Sequence, residues 1–269
     1  HTAEELSVFF DDLVSRYIEW AETIVKWQTL RDQAIRNLEF PFAAYRRGQR
    51  EMAVNVYRAI KDERQLLIQA ATGIGKTMAA VFPAVKAIAE GICSKIFYLT
   101  ARTTGRIAAE KALDCLRWEK LKLKSLTITA KDKICFNPGA ACNPEECEFA
   151  RGHFDRINDA VKDIFGRDAF TRETVEEVAA AHRICPFEFS LELSLWADVI
   201  ICDYNYAFAP GVMLQRLFGE DGVGCAVLVD EAHNLVDRSR EMFSAQLVKR
   251  PILAMRRLIK DALPGVFRS

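Results

Sequence analysis

The chain has 269 residues, half of them hydrophobic, and its 37 basic and 37 acidic side chains give a formal net charge of zero. This size supports one large domain or two modest ones, and the balanced charge excludes a surface coated with cations, although it allows a local basic path for nucleic acid. Since no apolar run approaches the ~18 residues of a membrane span and no secretory segment opens the chain, we expect a cytoplasmic protein with no membrane partner.

The first predicted elements are helices. Apolar residues recur at steps of three and four over residues 4–36, which predicts a long packing helix, so residues 1–38 are interpreted as an N-terminal helical extension. Pro41 marks a break in this pattern, and a second helix is predicted over residues 49–60.

Beyond residue 60, short apolar segments alternate with helical patterns. The short segments are rich in β-branched residues and apolar on both faces, as parallel strands covered by helices are. Strands are predicted over residues 65–70, 94–100, 125–130, 197–204 and 225–230, and the main intervening helices over residues 76–90 and 104–119. This alternation predicts an α/β fold with a doubly wound parallel sheet.

One segment interrupts the alternation. Residues 131–190 show no convincing strand; they contain Cys, Gly, Pro and Asn, followed by a charged helical stretch over residues 153–182. The segment is therefore interpreted as an insertion, and its two histidines, His153 and His182, as surface residues.

The sequence QAATGIGKT, from Gln69 to Thr77, lies between a predicted strand and a predicted helix. In such a motif glycines let backbone N–H groups close around phosphate oxygens, and the helix adds its positive N-terminal end. Lys76 would reach the outer phosphates, and the Thr77 hydroxyl would ligate Mg²⁺. Ala70 stands where the strict pattern has its first glycine, and a chance glycine-rich turn is the alternative. The predicted contacts with ATP in this motif are Ala71, Thr72, Gly73, Ile74, Gly75, Lys76 and Thr77.

A second motif, CAVLVDEAHNL over residues 225–235, is an apolar strand ending in two acids. Asp230 at the strand end can hold Mg²⁺, and Glu231 can orient and activate an attacking water. His233 follows two residues later, so that the strand ends in the letters D-E-A-H. The two motifs together predict an ATP-hydrolysing site with Lys76, Asp230, Glu231 and His233 as catalytic residues.

These motifs resemble those of DEAH-type superfamily 2 helicases, and more narrowly of the XPD/DinG group of iron–sulfur DNA helicases, over residues 40–236. AATGIGKT is similar to motif I of that group, YLTARTTGR (98–106) to motif Ia and VLVDEAHNL to motif II. The resemblance implies a RecA-like motor domain. FPFAAYRRGQREM (40–52) resembles the adenine-recognition segment, with Tyr45 as stacking partner, Arg46 nearby and Gln49 as base-recognising amide; a plain amphipathic helix start is the alternative.

The eight cysteines form two groups. Small buried hydrophobic positions are the interpretation for Cys93, Cys115, Cys202 and Cys225. The pattern C-x6-C-x4-C-x37-C is formed by Cys135, Cys142, Cys147 and Cys185. The resemblance implies that these four ligate a [4Fe–4S] cluster, for which four thiolates are the usual ligands. A zinc site and four unconnected thiols are the alternatives.

A motor that moves on single-stranded DNA needs cations along a groove and flat side chains for the bases. The predicted nucleic-acid contacts are Arg102, Thr103, Lys131, Lys133 and Arg151. Further candidates are Lys120, Lys122, Lys124, Arg156, Phe136, Phe149 and Phe154. For each lysine taken singly, a solvated surface position is the alternative.

The resemblance also implies a division of the chain. The first motor domain would comprise residues 39–134 and 186–235, the iron–sulfur insertion residues 135–185, and the start of a helical arch-like insertion residues 236–269. The implied function is that of an ATP-dependent 5′→3′ DNA helicase of repair or replication, nucleoid-associated if bacterial, with ATP, Mg²⁺ and a [4Fe–4S] cluster. Its partners would be single-stranded DNA, single-strand/duplex junctions and a second RecA-like domain of the same polypeptide. A zinc-containing, nucleotide-dependent nucleic-acid-binding module and a redox-sensing ATPase are the alternative functions.

Overall fold

The computed structural model describes residues 2–71, 73–212, 214 and 224–262. Its sheet has five strands in the order β3-β2-β4-β1-β5, and every neighbouring pair is parallel. The strands are β1 (Lys95–Leu99), β2 (Ser125–Thr127), β3 (Ala169–Phe170), β4 (Val199–Cys202) and β5 (Cys225–Val229). Because parallel neighbours need crossover connections, helices cover the sheet, and the predicted α/β fold with a parallel sheet is confirmed.

The helices follow the predicted pattern closely. The first four are α1 (Ala3–Asn37), α2 (Gln49–Lys61), α3 (Lys76–Ala89) and α4 (Thr103–Trp118). The inserted segment contributes α5 (Lys131–Ile134), α6 (His153–Ile164), α7 (Arg172–Ala181) and α8 (Pro186–Leu193). The described part ends with α9 (Asn205–Phe208), a 3₁₀ turn (Ala232–Asn234), α10 (Leu235–Met242) and α11 (Lys249–Ala262). None of the described helices combines the length and the hydropathy that a membrane crossing requires.

Two strand predictions were wrong. Residues 65–70 form no strand in the described part of the chain, and their apolar side chains face solvent, with Leu67 93% exposed. An apolar segment becomes a strand only where a neighbouring strand pairs with it. In this sheet β5 is the edge strand, and residues 65–70 do not pair with it. Conversely, β3 lies inside the segment that showed no strand pattern. It pairs with β2 through Ala169 and Phe170, and two residues are too few to show an alternating pattern.

The core lies on both faces of the sheet, because successive strand residues point to opposite sides. On one face, Phe97 and Leu99 of β1 pack with residues of α6, α7 and α8. On the other face, Ile96 and Tyr98 pack with α3 and α4. The inserted helices therefore share a core with the sheet, and the domain limits inferred from the sequence stay a prediction.

The C-terminal half of α1 is fixed to the sheet by a buried ion pair and by aromatic contacts. Arg31 Nη1 lies 2.6 Å from Asp198 Oδ1, with both side chains largely buried. Trp20 contacts Phe165 and Trp196 edge to face, at centroid distances of 4.8 and 5.1 Å. The extension is thus attached to the region where β2 and β4 begin, through α6 and the residues before β4.

Lys124 corrects the predicted basic path. Its side chain is fully buried, and its Nζ lies 3.9 Å from the Trp27 ring centroid and 4.0 Å from that of Phe165. The ammonium group donates to the backbone carbonyls of Phe165 and Arg167. Lys124 therefore belongs to the attachment of α1, because aromatic faces and carbonyls there replace its water.

Candidate nucleotide-binding site

The phosphate motif forms a turn that only glycine accommodates well. Gly73 and Gly75 have φ angles of +83° and +82°, and Gly75 directly precedes Lys76, the first residue of α3. A Cβ on Gly75 would also lie 2.4 Å from Nε2 of Gln49. The backbone N–H groups of the first turn of α3 have no intrahelical partners, which is the arrangement that binds phosphate. Thr72 lies outside the described residues.

The segment before α2 holds this turn. Arg46 donates from its guanidinium to the carbonyl of Gly73, and Nε2 of Gln49 donates to the carbonyl of Gly75 over 3.3 Å. Oε1 of Gln49 accepts from the Arg46 backbone N–H over 3.0 Å. Both ends of the Gln49 amide are thus occupied by protein backbone, so Gln49 fixes the phosphate turn in this structure. Lys76 donates from Nζ to the carbonyl of Ala70 over 3.3 Å, within the same turn.

The two sequence motifs meet at the C-terminal ends of β1 and β5. Burial raises the pKa of Tyr98, the fourth residue of β1, and the Asp230 carboxylate and the Thr77 hydroxyl both lie close enough to the Tyr98 hydroxyl to act on that pKa, in opposite directions. Burial raises the pKa of Asp230, as does neighbouring Glu231, while the Tyr98 hydroxyl and the charge of Lys76 oppose that rise. The loop and the acid are therefore close enough to bind one magnesium-bound triphosphate between them.

Tyr98 was not predicted as a site residue. It lies in the apolar strand KIFYL, so its sequence context is that of a core residue. The structure does bury it, with 3% of the side chain exposed. The only sequence signal is a hydroxyl-bearing residue near the end of a strand that neighbours the acidic strand.

The acidic turn exposes its catalytic candidates. Glu231 has a φ angle of +51°, and its side chain and that of His233 face solvent. Nδ1 of His233 lies 3.5 Å from Oε2 of Glu231. Asp230 is half-buried at the strand end, so the turn separates an inner acid suited to a metal ion from an outer acid suited to a water molecule.

A cavity of about 460 Å³ opens beside the phosphate turn. Its lining includes Phe42, Arg46, Gln49, Thr77 and Lys111, and its volume suits a nucleoside. Tyr45, the predicted stacking residue, does not line this cavity. Its ring stacks on that of Phe40 at a centroid distance of 3.8 Å. In this structure Phe42 is therefore the aromatic side chain that faces the nucleotide-sized cavity.

The predicted nucleic-acid contacts lie at the start of α4, in α5 and in the loop between α5 and α6. Arg102 and Thr103 are exposed at the start of α4, where a strand could approach them. Lys131 lies beside the Cys142 side chain, which raises the pKa of Lys131. The carbonyl of Lys133 accepts from Arg172. Nε of Arg151 donates to the carbonyl of Pro144 over 3.0 Å, so Arg151 holds the loop of the insertion.

The four cysteines of the insertion are partly gathered. Cys135 is close enough to Cys185 to raise the pKa of Cys185, in addition to the larger effect of burial. Cys142 is exposed beside Lys131, and Cys147 is buried. All are free thiols, and within the described residues no three metal-ligating side chains are grouped to hold a metal ion. Four thiols are the type of donor that iron–sulfur clusters use, so the chemistry of the set fits such a cluster while its grouping in the described residues does not show one.

His153 corrects the prediction of a surface residue. It is buried, with 3% exposure, and its Nδ1 accepts from the backbone N–H of Cys185 over 3.3 Å. Its Nε2 is buried without a hydrogen-bond partner among the described residues. Burial lowers the pKa of His153, which favours the neutral ring beside Cys185.

A parallel sheet, a glycine turn at a helix N-terminus and an acidic pair at a nearby strand end define a P-loop nucleotide-binding domain. The DEAD_2 family model matches residues 101–252, and a DEAD/DEAH box helicase model matches residues 47–134. The chain belongs to the DEAD_2 family. These matches, together with the relatives described next, confirm the resemblance to XPD-like superfamily 2 helicases.

Individual relatives agree with this assignment. "Probable ATP-dependent helicase MJ0942" of Methanocaldococcus jannaschii is 24% identical over 222 residues, which cover 82% of this chain and 33% of the relative. The XPD helicase subunit of the general transcription and DNA repair factor IIH from Dictyostelium discoideum is 21% identical, covering 73% of this chain and 29% of the relative.

A solved XPD helicase aligns with a TM-score of 0.54 and 20% identity, covering 75% of this chain and 35% of that chain, and so shows the shared fold. The chain spans about a third of the length of these relatives.

Proposed function

We propose that this chain is the first motor domain of an ATP-dependent DNA helicase that moves 5′→3′ on single-stranded DNA and unwinds duplexes during repair or replication. The observation that carries the proposal is that the side chains of Thr77 and Asp230 both lie beside the Tyr98 hydroxyl. The phosphate turn and the acidic strand end are thus neighbours, as hydrolysis of a magnesium-bound triphosphate requires. The match to the DEAD/DEAH box helicase model and the relative named "Probable ATP-dependent helicase MJ0942" support the proposal.

The residues take distinct roles in this proposal. The N–H groups of the turn around Gly73 and Gly75 would bind the phosphates, and Lys76 would leave the Ala70 carbonyl to reach the outer phosphate. Thr77 and Asp230 would hold Mg²⁺, whose charge supports the leaving phosphate. Glu231 would orient the attacking water and accept its proton.

DNA binding is proposed at the start of α4. Arg102 and Thr103 are exposed there, and Gly105 in the same helical turn lies against Asp230. A strand held by Arg102 and Thr103 would therefore rest on the helix that also touches the magnesium acid. This contact gives a short physical path by which hydrolysis could change the grip on DNA.

The remaining parts of the proposal concern groups beyond the nucleotide site. Cys135, Cys142, Cys147 and Cys185 would ligate a [4Fe–4S] cluster, whose bonding energy would order the loop between α5 and α6. A second RecA-like domain of the same polypeptide would supply cations to the exposed side of Glu231. The aligned residues cover 33% of the relative from Methanocaldococcus jannaschii, which leaves ample length for such a domain in that protein.

The experiment is ATP hydrolysis and strand separation by the full-length protein on substrates with 5′ or 3′ single-stranded tails. We expect hydrolysis that single-stranded DNA stimulates, and unwinding only from the 5′ tail. Lys76→Ala should lose nucleotide binding, and Glu231→Gln should bind ATP but not hydrolyse it, because only the water-activating carboxylate is removed. Unwinding from the 3′ tail, or hydrolysis by Glu231→Gln at the wild-type rate, would refute the proposal.

A further inference from the structure

A buried tyrosine from another strand holds the turn that carries the two acids. Tyr204 lies two residues beyond β4 and is fully buried. Its hydroxyl donates to the backbone carbonyl of Asp230 and lies 3.3 Å from the carbonyl of Glu231. The side chains of both acids are thereby left free for a metal ion and a water molecule, while their main chain is bound.

The turn needs such support because its geometry is strained. Glu231 has a φ angle of +51°, in the left-handed region that is unfavourable for a residue with a Cβ. Its carbonyl also accepts from the backbone N–H of Asn234 over 2.9 Å and from Nδ2 of Asn234 over 3.0 Å. Bonds from two sides thus keep Glu231 in the conformation that directs its carboxylate outward.

The neighbouring residue holds the helix that follows the turn. Both carboxylate oxygens of Asp203 accept from Nη2 of Arg238 in α10, over 3.0 and 3.2 Å. Oδ1 of Asp203 also accepts from the backbone N–H of Asn205 over 2.9 Å, which fixes the carboxylate. Residues 203 and 204 therefore fasten the acidic turn and the start of α10 to the exit of β4.

We propose that Tyr204 and the Asp203–Arg238 pair are positioning residues for ATP hydrolysis, an inference that rests on the proposed function of Glu231. They fix the main chain of the acidic turn, so that the Glu231 carboxylate is directed at the attacking water before the nucleotide arrives. β4 follows the cysteine-bearing insertion through α8, so the same bonds join that insertion to the hydrolytic acids.

The first test replaces the tyrosine hydroxyl alone. Tyr204→Phe keeps the buried ring, and Tyr206→Phe is the matched control, because Tyr206 is also buried but bonds neither Asp230 nor Glu231 in the described part of the chain. In the full-length protein, Tyr204→Phe should lower kcat for DNA-stimulated hydrolysis about tenfold with KM for ATP within about twofold. Amide hydrogen exchange over residues 230–235 should accelerate in Tyr204→Phe and not in the control.

The second test addresses the ion pair. Arg238→Met should lower kcat in the same way, and Arg238→Lys should restore part of it, because a lysine can still pair with Asp203. A wild-type kcat and unchanged exchange in Tyr204→Phe would overturn the inference, as would equal losses in Arg238→Lys and Arg238→Met. Glu231→Gln is measured in parallel: if that variant hydrolyses ATP normally, the proposed function has failed, whatever the tyrosine variants show.

Discussion

Gly105, in the first turn of α4, lies against the carboxylate of Asp230. A Cβ on Gly105 would be 2.7 Å from Oδ2 of Asp230 and 2.2 Å from Oγ1 of Thr100. Both distances are far below ordinary van der Waals contact, so only glycine allows this approach. The helix that begins with the proposed DNA contacts is thereby held directly against the proposed magnesium ligand.

Gly105→Ala should therefore disturb the magnesium site. We expect about a tenfold loss in the affinity for Mg²⁺-ATP, because groups that orient metal ligands contribute effects of that size. The loss should appear although alanine favours the helix by about 1 kcal/mol. The measurement is a titration of a fluorescent ATP analogue at several Mg²⁺ concentrations, with Gly166→Ala as control, since a Cβ on Gly166 meets no atom within 4 Å. An unchanged Mg²⁺ dependence in Gly105→Ala would show that the helix contact does not orient Asp230.

The ion pair between Arg31 and Asp198 should account for much of the attachment of α1. Arg31→Met would leave the Asp198 carboxylate buried with the Lys124 backbone N–H as a remaining donor, 2.8 Å from Oδ2. Losing one partner of a buried pair costs about 3–5 kcal/mol in the free energy of unfolding. Arg16→Met removes an exposed pair with Asp12 and should cost less than about 1 kcal/mol. Chemical denaturation of the three proteins compares these values, and equal losses in both variants would contradict the prediction.

The helices and four of the five predicted strands could be placed from sequence because their side-chain patterns reflect contacts within or beside each element. The strand prediction for residues 65–70 was wrong for a different reason. Whether an apolar segment pairs depends on a strand elsewhere in the chain, and the sequence of the segment does not contain that information. The segment Lys120–Lys124 alternates lysine with leucine, so Lys124 looks like its solvated neighbours. Its burial arises from Trp27, about a hundred residues earlier in the chain.

Site residues that belong to a contiguous sequence motif were predicted. Contacts between residues that are distant in the sequence were missed. The glycine turn and the acidic pair can each be recognised as a motif in the sequence, and the structure places both beside Tyr98. Gln49 donates to the Gly75 carbonyl, and Tyr204 donates to the Asp230 carbonyl. Both acceptors are backbone atoms, which every residue type has, so the sequence does not indicate these bonds.

Lys124 should give the protein a distinctive pH dependence of stability. Burial lowers its pKa from the ordinary 10.5 to about 8 in the folded chain. Between these values the unfolded chain binds more protons than the folded chain, so the Lys124 contribution to stability rises with pH. Relative to Lys124→Met, the wild-type free energy of unfolding should therefore gain about 2 kcal/mol from pH 7 to pH 10. Lys122→Met serves as control, because Lys122 is exposed; a constant difference between wild type and Lys124→Met would contradict the prediction.

The cysteines of the insertion should bind iron and sulfide when the protein is purified without oxygen. A [4Fe–4S] cluster absorbs broadly near ~400 nm, whereas zinc does not absorb there, so colour and metal analysis distinguish the two. Cys185→Ser should lose iron and loosen the loop over residues 135–152, measured by limited proteolysis, because the cluster would supply the bonds that order it. Cys93→Ser is the matched control, since Cys93 is buried on the opposite face of the sheet and its thiol pKa is raised to about 11. A colourless protein with one zinc ion, or Cys185→Ser with full iron content, would contradict the cluster assignment and leave the nucleotide site unaffected.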